Sequence, residues 1–175
     1  MVEQASVVRA SVVVAVAVLL EAVLGPYLTL GYVSPKFALI GIVFAVSPLR
    51  DLQAVLLGFF GGILLDSLSS GLFGVGALAG LAAGALSGRV SAVRRKGTER
   101  VLLAQVVAVC VAGFGLLLWG ARHLAGYGGY GGPPLAEYAV AGILPDALLN
   151  AVLAYLVGGW LLKIVNVKSL AWEAD

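Results

Sequence analysis

Apolar residues fill six long stretches of the chain, at about 10–31, 35–49, 52–70, 72–92, 101–121 and 138–163, and polar residues gather between them. A helix rises 1.5 Å per residue, so about 20 apolar residues cross roughly 30 Å of hydrocarbon. The second stretch falls short of that and is bounded by Pro35 and Pro48, so a tilted or incomplete crossing is expected there. The third stops near Ser69-Ser70-Gly71 and the fourth begins at once, which predicts a tight helical hairpin. The pattern as a whole predicts an all-α, polytopic membrane helix bundle of about six transmembrane helices, one integral membrane domain over residues 1–175.

Composition removes the soluble alternative. The 175 residues are 61% hydrophobic and 11% charged, with mean hydropathy +1.06, whereas a soluble domain carries about 25% charged residues. The formal net charge of +2 is too small to imply nucleic acid, and the partner this composition does imply is the lipid bilayer. Arg9 and the apolar run after it have the look of a secretory signal. The Ala15-Val16-Ala17 triplet lies inside that run rather than after it, so an uncleaved first helix is expected. With Cys110 as the single cysteine, no internal disulfide can form.

The placement of cations sets an orientation. With the N-terminus inside, the cytoplasmic segments hold Arg9, Arg50, Arg89, Arg94, Arg95, Lys96, Arg100, Lys163 and Lys168, and the external side holds Lys36 and Arg122. Cytoplasmic loops of membrane proteins carry the excess of Lys and Arg, so N-in/C-in is expected, with Arg94, Arg95, Lys96 and Arg100 in a cytoplasmic basic loop. The external stretch 126–134 is rich in glycine and reads as a flexible connector, its tyrosines suited to headgroup depth.

Small residues recur every fourth position. The third helix carries Gly58, Gly62, Asp66 and Ser70; the fourth Gly76, Gly80, Gly84 and Gly88; the fifth Ala104, Ala108 and Ala112; the sixth Gly142, Asp146, Asn150, Ala154 and Gly158. Such rows form slanting ridges on one helix face. In lipid, close backbone approach at small residues supplies much of the attraction between helices. Two readings stay open: the ridges pack the bundle together, or one faces outward to receive a partner's helix.

Charged groups at membrane depth are costly and turn toward protein or water. Glu21, Asp66 and Asp146, with Asn150, all fall in the outer half of the predicted spans, near the level of Lys36 and Arg122. Asp66 either snorkels to the outer interface or, like the other two, pairs with Lys36 or Arg122. A proton or solute path is a third reading, although no continuous polar stripe crosses the inner half. His123 suits headgroup depth. One His, one Cys and no cluster of ligand-type residues at metal spacing leave no catalytic residue, no metal site and no cofactor to assign. The expectation is a protein that is not an enzyme.

The run Gly58-Phe59-Phe60-Gly61-Gly62-Ile63-Leu64-Leu65-Asp66, followed by Gly71-Leu72-Phe73-Gly74-Val75-Gly76-Ala77, resembles the rod shape-determining protein MreD family. Pro145 to Asn150 and the apolar run after it resemble that family's last helix, and chain length, span number and the basic loop also agree. The chain departs at Pro35-Lys36, where members often have Pro-Asp. The resemblance implies a non-enzymatic component of the bacterial inner membrane's cell-elongation complex. It would bind the single-span protein MreC and connect to a RodA-type glycosyltransferase, a class B penicillin-binding protein and MreB filaments, regulating peptidoglycan synthesis and cell shape. The alternative is the substrate-binding subunit of an energy-coupling-factor vitamin transporter. That class docks its motor through Ala-x-x-x-Ala on the first helix, where this chain has Ser11-x-x-x-Ala15.

Overall fold

A computed structural model describes residues 2–69, 72–92, 98–124 and 134–165, with the backbone alone for 2–5, 91 and 92. Its helices are α1 (Val2–Leu28), α2 (Phe37–Val46), α3 (Asp51–Leu68), α4 (Val75–Ala92), α5 (Glu99–Leu124), a short α6 (Leu135–Tyr138) and α7 (Leu144–Val165). A π-helical turn, Ala139–Ile143, joins α6 to α7. Among the described residues no strand forms, and the fold is all-α. Residues 70 and 71, the expected loop cations Arg94, Arg95 and Lys96, and most of the 126–134 connector lie outside the described residues.

Four segments are long and apolar enough to cross a membrane: Ser6–Leu28, Asp51–Leu68, Glu99–Leu124 and Leu135–Val165. Two shorter apolar helices, Phe37–Val46 and Val75–Val90, stand beside them. The difference from the six predicted spans has a local cause in α2. Pro35 keeps the residue before it out of the helical region. At the other end the chain leaves the helix at Ser47 and Pro48, where Leu49 N–H donates to the Val46 carbonyl in a turn. Ten residues rise only about 15 Å.

That short helix is the centre of the bundle. Its residues from Ala38 to Val46 are all buried, and Phe44 is fully enclosed. A helix that is apolar all round has no face suited to water and is stable only when surrounded. Around it α1 turns inward a strip of Ala10, Val14 and Val18 while Val8, Val12, Val16 and Val23 face outward. Gly158 of α7 gives way to the Phe44 ring, since a Cβ there would lie 2.5 Å from its Cζ.

The most extensive helix contact is α3 on α4, antiparallel. Gly58 meets the Gly80 carbonyl, Gly62 meets the Gly76 carbonyl, and Gly84 meets the Ala54 carbonyl. A Cβ at any of the three would sit well inside 3.0 Å of backbone oxygen. Neither helix can retreat without opening the whole seam, so the row admits only glycine. By contrast, Gly113 on α5 has nothing within 4 Å of a built Cβ.

The last span bends where the sequence demands it. Proline inside a helix lacks an N–H and crowds the carbonyl four residues back. Ahead of Pro145, Leu144 N–H donates to the Ala139 carbonyl five residues back, a π-type bond that absorbs the misfit. The turn also brings Gly142 against Tyr32, whose ring meets Tyr138 edge-on at 5.5 Å.

Gly62→Leu should therefore destabilise the α3–α4 pair and lower protein abundance in membranes. Gly113→Ala, at open space in a helix, should leave stability unchanged or raise it by about 0.5–1 kcal/mol. Thermal unfolding of the detergent-solubilised protein measures both.

Candidate functional site

Each of the three carboxylates predicted at membrane depth accepts backbone N–H groups. The first four N–H groups of a helix have no partner within it, and inside lipid no water can supply one.

Asp66 is the fullest case. Its Oδ1 accepts from Gly76 N–H at 2.9 Å, and its Oδ2 from Gly74 N–H at 2.9 Å and Ala77 N–H at 3.0 Å. Val75 N–H reaches the Leu72 carbonyl at 3.4 Å, and Leu78 N–H starts the helical ladder on the Gly74 carbonyl. Every N–H at the start of α4 is thus accounted for. Gly74 holds φ at +102°, a left-handed value that favours glycine. A Cβ on Gly76 would lie 2.5 Å from Asp66 Oδ1. The aspartate is 7% exposed, so it does not snorkel to an interface, and none of its hydrogen bonds goes to Lys36 or Arg122. A negative charge at a helix N-terminus also sits favourably in the helix dipole.

The second group holds the α1–α2 connection. Leu30 and Val33 exchange backbone hydrogen bonds across a tight turn, with Gly31 at φ +63°. Past the turn, Ser34 N–H donates to Asp146 Oδ1 at 2.8 Å and Lys36 N–H to Asn150 Oδ1 at 2.6 Å. The Asn150 amide returns a bond to the Ser34 carbonyl at 3.0 Å and another to the Asp146 carbonyl at 2.8 Å. Ala38 N–H, in the first turn of α2, donates to Glu21 Oε2 of α1 at 2.7 Å. Two residues one turn apart on α7 and one on α1 therefore anchor the start of the central helix.

Lys36, where the family pattern often has aspartate, supplies the countercharge. Its ammonium lies 4.0 Å from Asp146 Oδ2, donates to Ser34 Oγ and sits 5.7 Å above the Phe114 ring. Arg122 shows no ion pair with any of the three carboxylates. His123 stacks on Trp119 with ring centroids 4.3 Å apart. Among the described residues no group of three or more His, Cys, Asp or Glu gathers as a metal site would require.

The predicted residues thus fall into two sets. Gly58, Gly62, Asp66, Gly76, Gly80 and Gly84 meet one another along α3 and α4; Asp146 and Asn150 stand on α7 and hold the segment before α2. Sequence reading missed the capping role of Asp66 because caps are usually sought at the residue starting the helix. The usable signal was Gly74-Val75-Gly76, a stretch of open backbone N–H groups, eight to ten residues past a lone membrane-depth aspartate.

Fold and site together define a class: a multi-pass membrane helix bundle whose polar groups at membrane depth bond to its own backbone. The model of the rod shape-determining protein MreD family matches residues 4–168 of the chain, and the protein belongs to that family. It is a rod-shape-determining membrane protein. No curated protein and no solved structure matches it.

Asp66→Asn leaves one acceptor oxygen among three donors and turns an amide N–H toward another N–H. It should cost about 1–3 kcal/mol of stability, read as a lower thermal midpoint, and Asn150→Leu should cost a similar amount by releasing Lys36 N–H and the Ser34 carbonyl. Unchanged midpoints for both would mean that these bonds contribute nothing net.

Proposed function

We propose that this chain is a non-enzymatic component of the bacterial inner-membrane cell-elongation complex. In this reading it binds an MreC-like single-span protein, and with it helps regulate peptidoglycan synthesis. The family match over residues 4–168 carries the reading. RodA-type glycosyltransferase, class B penicillin-binding protein and MreB filaments would be reached directly or through that partner. The ridge glycines of α3 and α4 already meet each other, so a partner helix would dock on an outward face instead. Such faces are plentiful, with Val12, Val16 and Val23 on α1 and Leu148, Val152 and Leu156 on α7 all exposed.

The same reading keeps the whole chain as one integral membrane domain, N-in/C-in, with α2 and α4 completing six passes. The nine-to-two division of cations supports it. A cysteine introduced as Lys96→Cys should be shielded from impermeant thiol reagents in intact cells, and Tyr130→Cys should react. Labelling of both from outside would sink the N-in, six-span arrangement.

Deletion of the gene should round rod-shaped cells and disperse elongation-type wall synthesis, and affinity purification from membranes should recover a single-span coiled-coil protein. Normal shape with impaired vitamin uptake would instead support a transporter subunit.

A further inference from the structure

A cleft of about 420 Å³ opens where the first turn of α5 crosses the last turns of α7, at the end of the bundle opposite the three carboxylates. Its walls are Glu99, Arg100, Val101, Tyr155, Gly159, Leu162 and Lys163. Nothing in the packing of α5 on α7 calls for two cations there. Arg100 reaches across to α7. A Cβ on Gly159 would lie 2.5 Å from the Arg100 Cζ and 2.7 and 2.8 Å from its two terminal nitrogens. The guanidinium therefore rests flat over the α7 backbone at Gly159, where the missing side chain leaves it room. Arg100 and Lys163 both remain exposed at the cleft.

The cleft also has a direction. Tyr155 lies eight residues before Lys163 on α7, about 12 Å deeper along the helix axis. Lys163 stands nearest the end of α7, the Arg100 guanidinium lies about one turn deeper at Gly159, and Tyr155 about one turn deeper again, with Val101 and Leu162 on the flanking walls. Arg offers a planar fork of donors suited to phosphate oxygens, and Lys a mobile point charge. Two cations toward the end of the bundle, with the Tyr155 ring deeper, match the order of phosphate and glycerol in a phospholipid. The volume holds a headgroup and its glycerol but not a helix about 10 Å across.

We propose that this cleft is a binding seat for the phosphate of an anionic glycerophospholipid, held by Arg100 and Lys163 with its acyl chains running past Tyr155 and Leu162. Cations near a membrane surface each contribute about a fivefold preference for anionic lipid, so the pair defines a measurable selectivity.

The test is native mass spectrometry of the full chain in mild detergent with equimolar phosphatidylglycerol and phosphatidylcholine. The wild type should retain phosphatidylglycerol preferentially, Lys163→Gln should cut that preference about fivefold, and Arg9→Gln, a cation outside the cleft, should leave it unchanged. Arg100→Lys keeps the charge but loses the fork, and should weaken retention while the protein stays folded. Millimolar inorganic phosphate should not displace the lipid. Equal retention of both lipids, or equal loss in Arg9→Gln and Lys163→Gln, would overturn the proposal. So would displacement by inorganic phosphate, which would mark a soluble-anion site, or recovery of a protein in place of lipid at the cleft.

Discussion

A backbone N–H that begins a helix inside a membrane has neither water nor a preceding turn to bond with, and that constraint organises this protein. Its central helix is too short to bring both ends to the interface, and α4 begins only a few residues after α3 ends. Both starts would leave buried donors, each costing several kcal/mol in hydrocarbon. The chain answers with carboxylates and an amide from other helices. Glu21 of α1 and Asn150 of α7 serve α2, Asp146 of α7 serves the turn before it, and Asp66 of α3 serves α4. Each cap is also a tertiary contact, so satisfying the backbone and fixing the helix positions are one event.

The capping geometry in turn depends on close approach. Asp66 reaches three N–H groups only because α4 lies directly against α3, and α4 can lie there only because Gly58, Gly62, Gly76, Gly80 and Gly84 bring no side chain into the seam. Dispersion gained along such a contact is small per atom pair and large in sum. It falls away quickly with distance, so a single branched residue in the row loosens the helix faces and the cap together. The seam and the aspartate are therefore one unit.

The fold class, the helical hairpin and the ridge spacing were legible because they follow from one-dimensional regularities: apolar length, proline position and a period of four. Helix ends were less so. The apolar run predicts a first helix at 10–31, and the helix runs Val2–Leu28, because Gly31 and the Leu30–Val33 turn end it before the apolar run does. For the last, apolarity predicts 138–163, whereas helical structure begins at Leu135 and passes through a π turn that apolarity alone does not signal. Glu21, Asp66 and Asp146 gather at one end of the bundle, as their positions along the helices predict. Which of them meets a cation is not legible in the sequence, since that depends on helix rotation and on the turn at 29–36. Lys36 meets Asp146, and Asp66 meets only backbone.

This bears on what the family motif means. Within the run that carries the resemblance, Gly58, Gly62, Asp66 and Gly76 all face their own chain, whereas Phe60 and Phe73 are exposed. Asp66 already holds three backbone donors, so a partner could take the carboxylate only by releasing N–H groups that nothing else in the seam can satisfy. Recognition by another membrane protein is far less costly on faces such as α1's exposed valines, where lipid alone must be displaced. The glycines and the aspartate of the motif thus specify how α3 and α4 are joined, and only its exposed side chains, Phe60 and Phe73 among them, remain open to lipid or to another helix.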